Sequence, residues 1–143
     1  MVFEICVLGI LLFTSVRDIR KKEILAAEII LVGIISAVRT TTMIYTGSFD
    51  IISFAASFLP GIAMLLASLI TGESLGYGDG LLVLLSGPAL GGELVLGTVL
   101  LAVFICGLFS GILLVIKRAG RFTRVPFVPF MTLGLAVMEF AKI

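Results

Sequence analysis

The chain has 143 residues, of which 60% are hydrophobic and 13% charged, and its formal net charge is +1. This composition excludes an ordinary water-soluble domain, and the near-neutral charge predicts no nucleic-acid partner. Because the sequence contains no histidine, Ser-His and Cys-His nucleophilic pairs and histidine metal sites are excluded. We therefore expect a membrane protein, surrounded by lipid, whose chemistry depends on carboxylates and requires no metal or cofactor.

Apolar segments separated by short polar or glycine-rich joints occupy most of the chain. They fall at 2–16, 24–46, 51–70, 81–92, 94–116 and 125–141. Each is interpreted as a transmembrane helix, with a turn at 91–93 between the short fourth span and the fifth. The prediction is an all-α polytopic membrane protein with six transmembrane helices, which form one membrane-embedded domain over 1–143 without a soluble domain.

Basic residues cluster after the first span and before the last. The clusters are Arg17, Arg20, Lys21 and Lys22, and Lys117, Arg118, Arg121 and Arg124. The positive-inside rule assigns both clusters to the cytosol, which requires an even number of spans between them and supports a count of six. We therefore predict a multi-pass protein of the cell (inner, cytoplasmic) membrane with both termini outside.

Two aspartates meet the membrane on the same predicted side, Asp18 in SVRDIRKKEI and Asp79 in GYGDG. Taken alone, Asp18 would offset neighbouring bases and Asp79 would be a helix N-cap. As a pair near hydrocarbon they would share a proton, so that one carboxylate can accept a proton from water while the other polarises a peptide carbonyl. Gly76, Gly78 and Gly80 would let a substrate backbone approach Asp79, or would simply form a flexible connection.

Three ordered motifs carry a resemblance to a known family. GYGD at 76–79 matches the GxGD signature of membrane aspartyl proteases, and two further stretches, DIRKKEI from Asp18 and VPFVPFMTLG at 125–134, resemble motifs of the type IV prepilin peptidases. Leu25 stands where that family has proline. The chain is most similar to the short, peptidase-only kind that serves Tad/Flp-type pili, so methyl transfer is not expected.

The resemblance implies an aspartyl endopeptidase that removes the short basic leader of a prepilin-like substrate at the cytosolic membrane face. Asp18 and Asp79 would be catalytic, with no cofactor. The residues implied to form the substrate loop or to support the site are Gly76, Tyr77, Gly78, Gly80, Pro126, Phe127, Pro129 and Phe130. We expect the glycine loop to bind an unwound substrate segment, because a helical peptide hides its carbonyls in hydrogen bonds.

Three other acids have predicted positions or roles. Glu28 lies inside the second predicted span, where it could snorkel to the inner surface, pair with Lys22 or line the active-site cleft. Glu73 is a candidate for attracting the basic leader of a substrate. The acids nearest the outer ends of spans, among them Glu4, are expected to be solvated at the interface.

The competing interpretation is a noncatalytic transporter subunit or pilus-assembly scaffold, in which the acids bind a cation or cap helices. A transporter would be expected to have paired interrupted spans around a midplane site, whereas these acids lie at the ends of spans. A nearer rival is a presenilin-like protease, but such an enzyme carries its first aspartate within a span.

Overall fold

The computed structural model describes residues 1–21, 24–70, 76–116 and 125–142. Within these ranges the chain is all-helical, which confirms the all-α part of the predicted fold class. The helices are α1 (Val2–Lys21), α2 (Ala26–Tyr45), α3 (Ile51–Ala56), α4 (Leu59–Ile70), α5 (Tyr77–Leu90), α6 (Gly92–Val115) and α7 (Val128–Ala141).

Three of the described helical stretches are long and apolar enough to cross a membrane: Ala26–Tyr45, Ile51–Ile70 and Gly92–Val115. The helix Val128–Ala141 is apolar but shorter. These helices support a membrane protein, whereas six transmembrane helices are not shown. α5 has 14 residues and is about 21 Å long at the helical rise of ~1.5 Å per residue, which is less than a bilayer core of about 30 Å.

The helix boundaries differ from the predicted spans near Pro60 and at Gly91. The predicted span 51–70 is interrupted at Ser57 and Phe58, because Pro60 near the start of α4 has no N–H to continue the hydrogen-bond ladder. The predicted turn between the fourth and fifth spans reduces to Gly91, whose φ of 90° favours glycine. Gly92 and Glu93 already belong to α6.

The bundle is organised around α5, which contacts α1, α2, α4 and α6, while α7 packs against α1 and α6. Glycines permit the close approach of α4 and α5, since a Cβ at Gly61 would meet the backbone of Leu84 and a Cβ at Gly87 would meet the carbonyl oxygen of Ser57. Large apolar side chains on the outside of the bundle, such as Phe104 and Leu108, are exposed. This arrangement suits helices that are surrounded by lipid and packed through small residues.

The two ends of the described chain meet at one end of the bundle. Lys142 Nζ lies 3.0 Å from Glu4 Oε1, and the N-terminal amine of Met1 lies 2.8 Å from Glu4 Oε2. The expectation that Glu4 is solvated was therefore wrong, because this carboxylate is buried and held by two cations. The pair of Lys142 with Glu4 joins the end of α7 to the start of α1.

Candidate functional site

Asp18 is almost completely buried although it lies beyond the apolar stretch 2–16, since only 4% of its surface is exposed. It is in the last turn of α1, on the face that packs against α7. Its Oδ2 accepts a hydrogen bond of 3.3 Å from the backbone N–H of Val128. This contact joins the first predicted catalytic residue to the predicted proline-phenylalanine motif.

The start of α7 explains why this N–H needs a carboxylate. Phe127 is the N-cap residue and has no side-chain acceptor, Pro129 has no N–H, and Phe130 N–H already bonds to the Phe127 carbonyl at 3.0 Å. The N–H of Val128 is the remaining donor of the first residues of α7. Asp18 therefore caps the last helix from another part of the chain.

The four predicted residues of this motif lie around that cap. Phe127 is buried in the core, and Phe130 packs beside it with its ring centroid 5.5 Å from that of Phe109 on α6. Pro126 and Pro129 are half-buried on either side of Phe127. The motif thus packs the entrance of α7 against the helices that carry the acids.

Asp79 lies in the first turn of α5 and is 9% exposed. The N-cap of this helix is Gly76, whose carbonyl accepts the Asp79 N–H at 3.1 Å, so the interpretation of Asp79 as an N-cap was wrong. Asp79 instead occupies the third helical position. There the positive end of the helix dipole favours the ionised carboxylate.

The glycines around Asp79 have unequal surroundings. A Cβ on Gly76 would lie 2.6 Å from Asp79 Oδ2, and one on Gly80 would lie 2.8 Å from Leu65 Cδ2. A Cβ on Gly78 would have only an ordinary contact of 3.5 Å with Ile24. Gly76 therefore leaves room for the carboxylate and Gly80 for α4, while Tyr77 is exposed.

Asp18 and Asp79 lie at the same end of the bundle, on helices that contact each other. The position of Gly78 beside Ile24 shows this, because Ile24 belongs to the short connection between α1 and α2 and Asp18 is close to the end of α1. The structure thus brings the elements carrying both predicted catalytic residues together, and it buries both carboxyl groups.

Glu28 also lies at this end of the bundle and is 3% exposed. Its Oε2 accepts the Leu25 N–H at 3.2 Å, and its Oε1 lies 3.5 Å from Arg17 Nη1. Arg17 is thus the ion-pair partner of Glu28 within the described ranges, whereas the candidate partner Lys22 lies outside them. Glu73, the other tentative residue, also lies outside the described residues.

The environment of Asp18 favours its protonated form. Burial raises the pKa of the Asp18 carboxyl, the hydrogen bond from Val128 opposes this rise, and the negative charge of Glu28 adds to it. A carboxyl that keeps its proton to higher pH is better suited to act as a general acid.

Two features of this site were missed by sequence reasoning, namely the cap that Asp18 provides to Val128 and the pairing of Arg17 with Glu28. The first had a signal, since proline at the second position of α7 leaves only one early N–H in need of an acceptor. Within the described ranges, no three His, Cys, Asp or Glu side chains are grouped in a way that could hold a metal ion.

Comparisons with protein-family models, with curated proteins and with solved structures give no match. The functional assignment therefore depends on the site and its motifs.

Proposed function

We propose that this chain is a membrane aspartyl endopeptidase of the prepilin peptidase type, which cleaves the basic leader from a prepilin-like substrate. In this proposal Asp18 and Asp79 are catalytic, the site faces the cytosol, and both termini lie outside. The observation that carries the proposal is the burial of two carboxyl groups at one end of an apolar bundle, on contacting helices.

Physical chemistry supports this assignment over an incidental pairing of acids. Burying an ionisable group costs free energy unless it is compensated, so buried acids in a membrane protein are functional candidates. Two such acids can divide the work of hydrolysis, one as base toward water and the other as acid toward the carbonyl. The missing side chain of Gly76 leaves room beside Asp79 Oδ2, where a Cβ would lie 2.6 Å away.

The position of the acids also suits the proposed substrate. Arg20 and Lys21 are exposed at the same end of the bundle as the two acids. The positive-inside rule assigns this cationic end to the cytosol. A leader that ends where a hydrophobic helix begins would present its scissile bond at this level. The bond could then reach the carboxyl groups without being drawn deep into the bilayer.

The test is cleavage of a co-expressed prepilin-like substrate that has a basic leader before a hydrophobic helix. Asp18→Asn and Asp79→Asn should each abolish release of the leader, because each removes one of the two proton-transferring groups. Asp50→Asn is the matched control, since Asp50 is an exposed acid that caps α3 near Gly91, at the opposite end of α5. Membrane levels of every variant are measured by immunoblot.

Retention of cleavage by either site variant, at membrane levels equal to wild type, would overturn the aspartyl mechanism. A wild-type protein that cleaves none of several such substrates would overturn the proposed function. That result would favour the scaffold alternative, which also has a structural observation behind it: Asp18 caps α7 and would be needed for that reason alone.

A further inference from the structure

The Asp18 end of the bundle contains a third buried acid, Glu28, which the proposed reaction does not use. Glu28 is in the first turn of α2, where the helix dipole favours a negative charge. One of its oxygens accepts the Leu25 N–H and the other lies 3.5 Å from Arg17. Both oxygens of the Glu28 carboxylate therefore face positive partners.

Asp18 has much weaker compensation for a negative charge. Its hydrogen bond from the Val128 N–H is long at 3.3 Å, and no cation pairs with it in the described part of the chain. Arg17 is its neighbour in sequence but pairs with Glu28 instead. Asp18 is also near the C-terminal end of α1, where the helix dipole disfavours a carboxylate.

The helices packed against α1 are α2, α5 and α7, and their charged and titratable groups differ in position. At the same end of the bundle as Asp18, the described ranges contain Glu28 on α2, Asp79 and Tyr77 on α5, and Arg17, Arg20 and Lys21 on α1. Glu139 on α7 and Lys142 just after it lie at the other end of that helix. Arg20 and Lys21 are exposed to solvent, which screens them. Glu28 is the buried charge whose influence on Asp18 is least screened.

We propose that Glu28 is a positioning residue whose fixed negative charge keeps Asp18 protonated, so that Asp18 is the acid and Asp79 the base of the reaction. Arg17 limits this effect by offsetting part of the charge of Glu28. The inference rests on the proposed function, and it assigns the two catalytic roles that the pairing of aspartates leaves open.

The proton transfers balance with these roles. Asp79 takes a proton from water as the water oxygen bonds to the peptide carbonyl carbon, and Asp18 gives its proton to the carbonyl oxygen to form a gem-diol. The carbon–nitrogen bond then breaks as Asp79 passes its proton to the leaving nitrogen. Asp18 recovers a proton from one gem-diol hydroxyl as the new carboxyl group forms.

Two substitutions test the role of charge in opposite directions. Glu28→Gln keeps an oxygen that can accept the Leu25 N–H but removes the negative charge, so Asp18 should lose its proton at lower pH. Arg17→Gln removes the offsetting positive charge, so Asp18 should keep its proton to higher pH. We expect shifts of about one pH unit each, as unit charges within about 10 Å produce at an effective dielectric constant of about 20.

The first measurement is the pH dependence of carbodiimide labelling at Asp18, followed by mass spectrometry of the full-length protein in lipid nanodiscs. Carbodiimides react with protonated carboxyl groups, so the midpoint of labelling reports the protonation of Asp18 without a substrate. The second measurement is the pH profile of cleavage, whose basic limb should follow the same shifts. Glu28→Asp, which keeps the charge, should restore the wild-type basic limb.

The inference is supported if the labelling midpoint shifts in opposite directions in Glu28→Gln and Arg17→Gln, and if the basic limb of the cleavage profile shifts in the same direction as the midpoint in each variant. Unchanged midpoints, or shifts in the same direction, would overturn it, because loss of structure alone does not reverse sign between the two variants. If the midpoints shift as expected but wild type cleaves no substrate, control of Asp18 by Glu28 stands. In that case only the proposed function fails.

Discussion

Gly76→Ala should impair catalysis while leaving the fold intact. The backbone of Gly76 has φ −59° and ψ 122°, which alanine adopts without strain. Its new Cβ, however, would lie 2.6 Å from Asp79 Oδ2 and 3.2 Å from Asp79 Cγ. The carboxylate must therefore rotate away, and α5 holds its backbone in place.

The magnitude follows from this geometry. Moving a side chain about 30° from its rotamer costs about 0.5–1.5 kcal/mol, which is the expected upper limit of the loss in unfolding free energy. The effect on rate is larger, because a displacement of about 1 Å at a reacting group can cost about 100-fold. We expect leader cleavage to fall by about 10- to 100-fold while thermal unfolding changes little.

The assay is the initial rate of leader release in proteoliposomes, with thermal unfolding of the same preparations. Gly111→Ala on α6 is the control, because its Cβ would meet no atom within 4 Å and it lies outside the residues implied to form the site. Gly111→Ala should cleave at a rate close to wild type. The reasoning is refuted if Gly76→Ala is as active as Gly111→Ala, or if both variants lose activity equally.

Three further predictions concern the fold and its charges. Asp18→Ala should destabilise the protein by about 1–3 kcal/mol more than Asp18→Asn, because only asparagine can still accept the first N–H of α7; equal unfolding midpoints would contradict this. Gly61→Ala should cost about 1–3 kcal/mol through a clash with the backbone of α5, measured by unfolding in detergent, whereas Gly107→Ala meets open space and should be close to neutral. The Ser53 hydroxyl and two backbone N–H groups hold the pKa of exposed Asp50 below its ordinary value, so Ser53→Ala should raise that pKa toward the ordinary value in an NMR titration. An unchanged pKa in Ser53→Ala would refute the assignment of the lowered Asp50 pKa to these hydrogen bonds. The stabilisation from this cap is present above the ordinary pKa of aspartate and is lost as pH falls through the folded-state pKa of Asp50.

Much of the fold could be predicted from the sequence, because lipid-facing helices require long apolar runs. The break at Gly91 and the helical nature of each apolar segment were predicted from such local signals. The interruption after Ala56 was not predicted, although Pro60 carried a signal for it. The burial of Glu4 was missed, because its partner Lys142 lies at the other end of the chain.

The candidate site could be predicted only in part, because some of its contacts join residues that lie far apart in the sequence. Asp18 and Asp79 could be selected from their motifs, and their position at one end of the bundle followed from counting spans. The pairing of Arg17 with Glu28 and the hydrogen bond from Val128 to Asp18 could not be derived in this way. They join side chains and backbone groups on separate helices, and no local spacing encodes such a contact.

The sequence by itself determined that this is an all-helical membrane protein with two acids beside its apolar segments, because composition and hydrophobic run length depend only on the order of residues. The tertiary structure alone decided that both acids are buried, that Asp18 caps α7 and that Arg17 pairs with Glu28. Those properties depend on how α1, α2, α5 and α7 pack, and packing sets the electrostatic environment on which any chemistry of Asp18 and Asp79 depends.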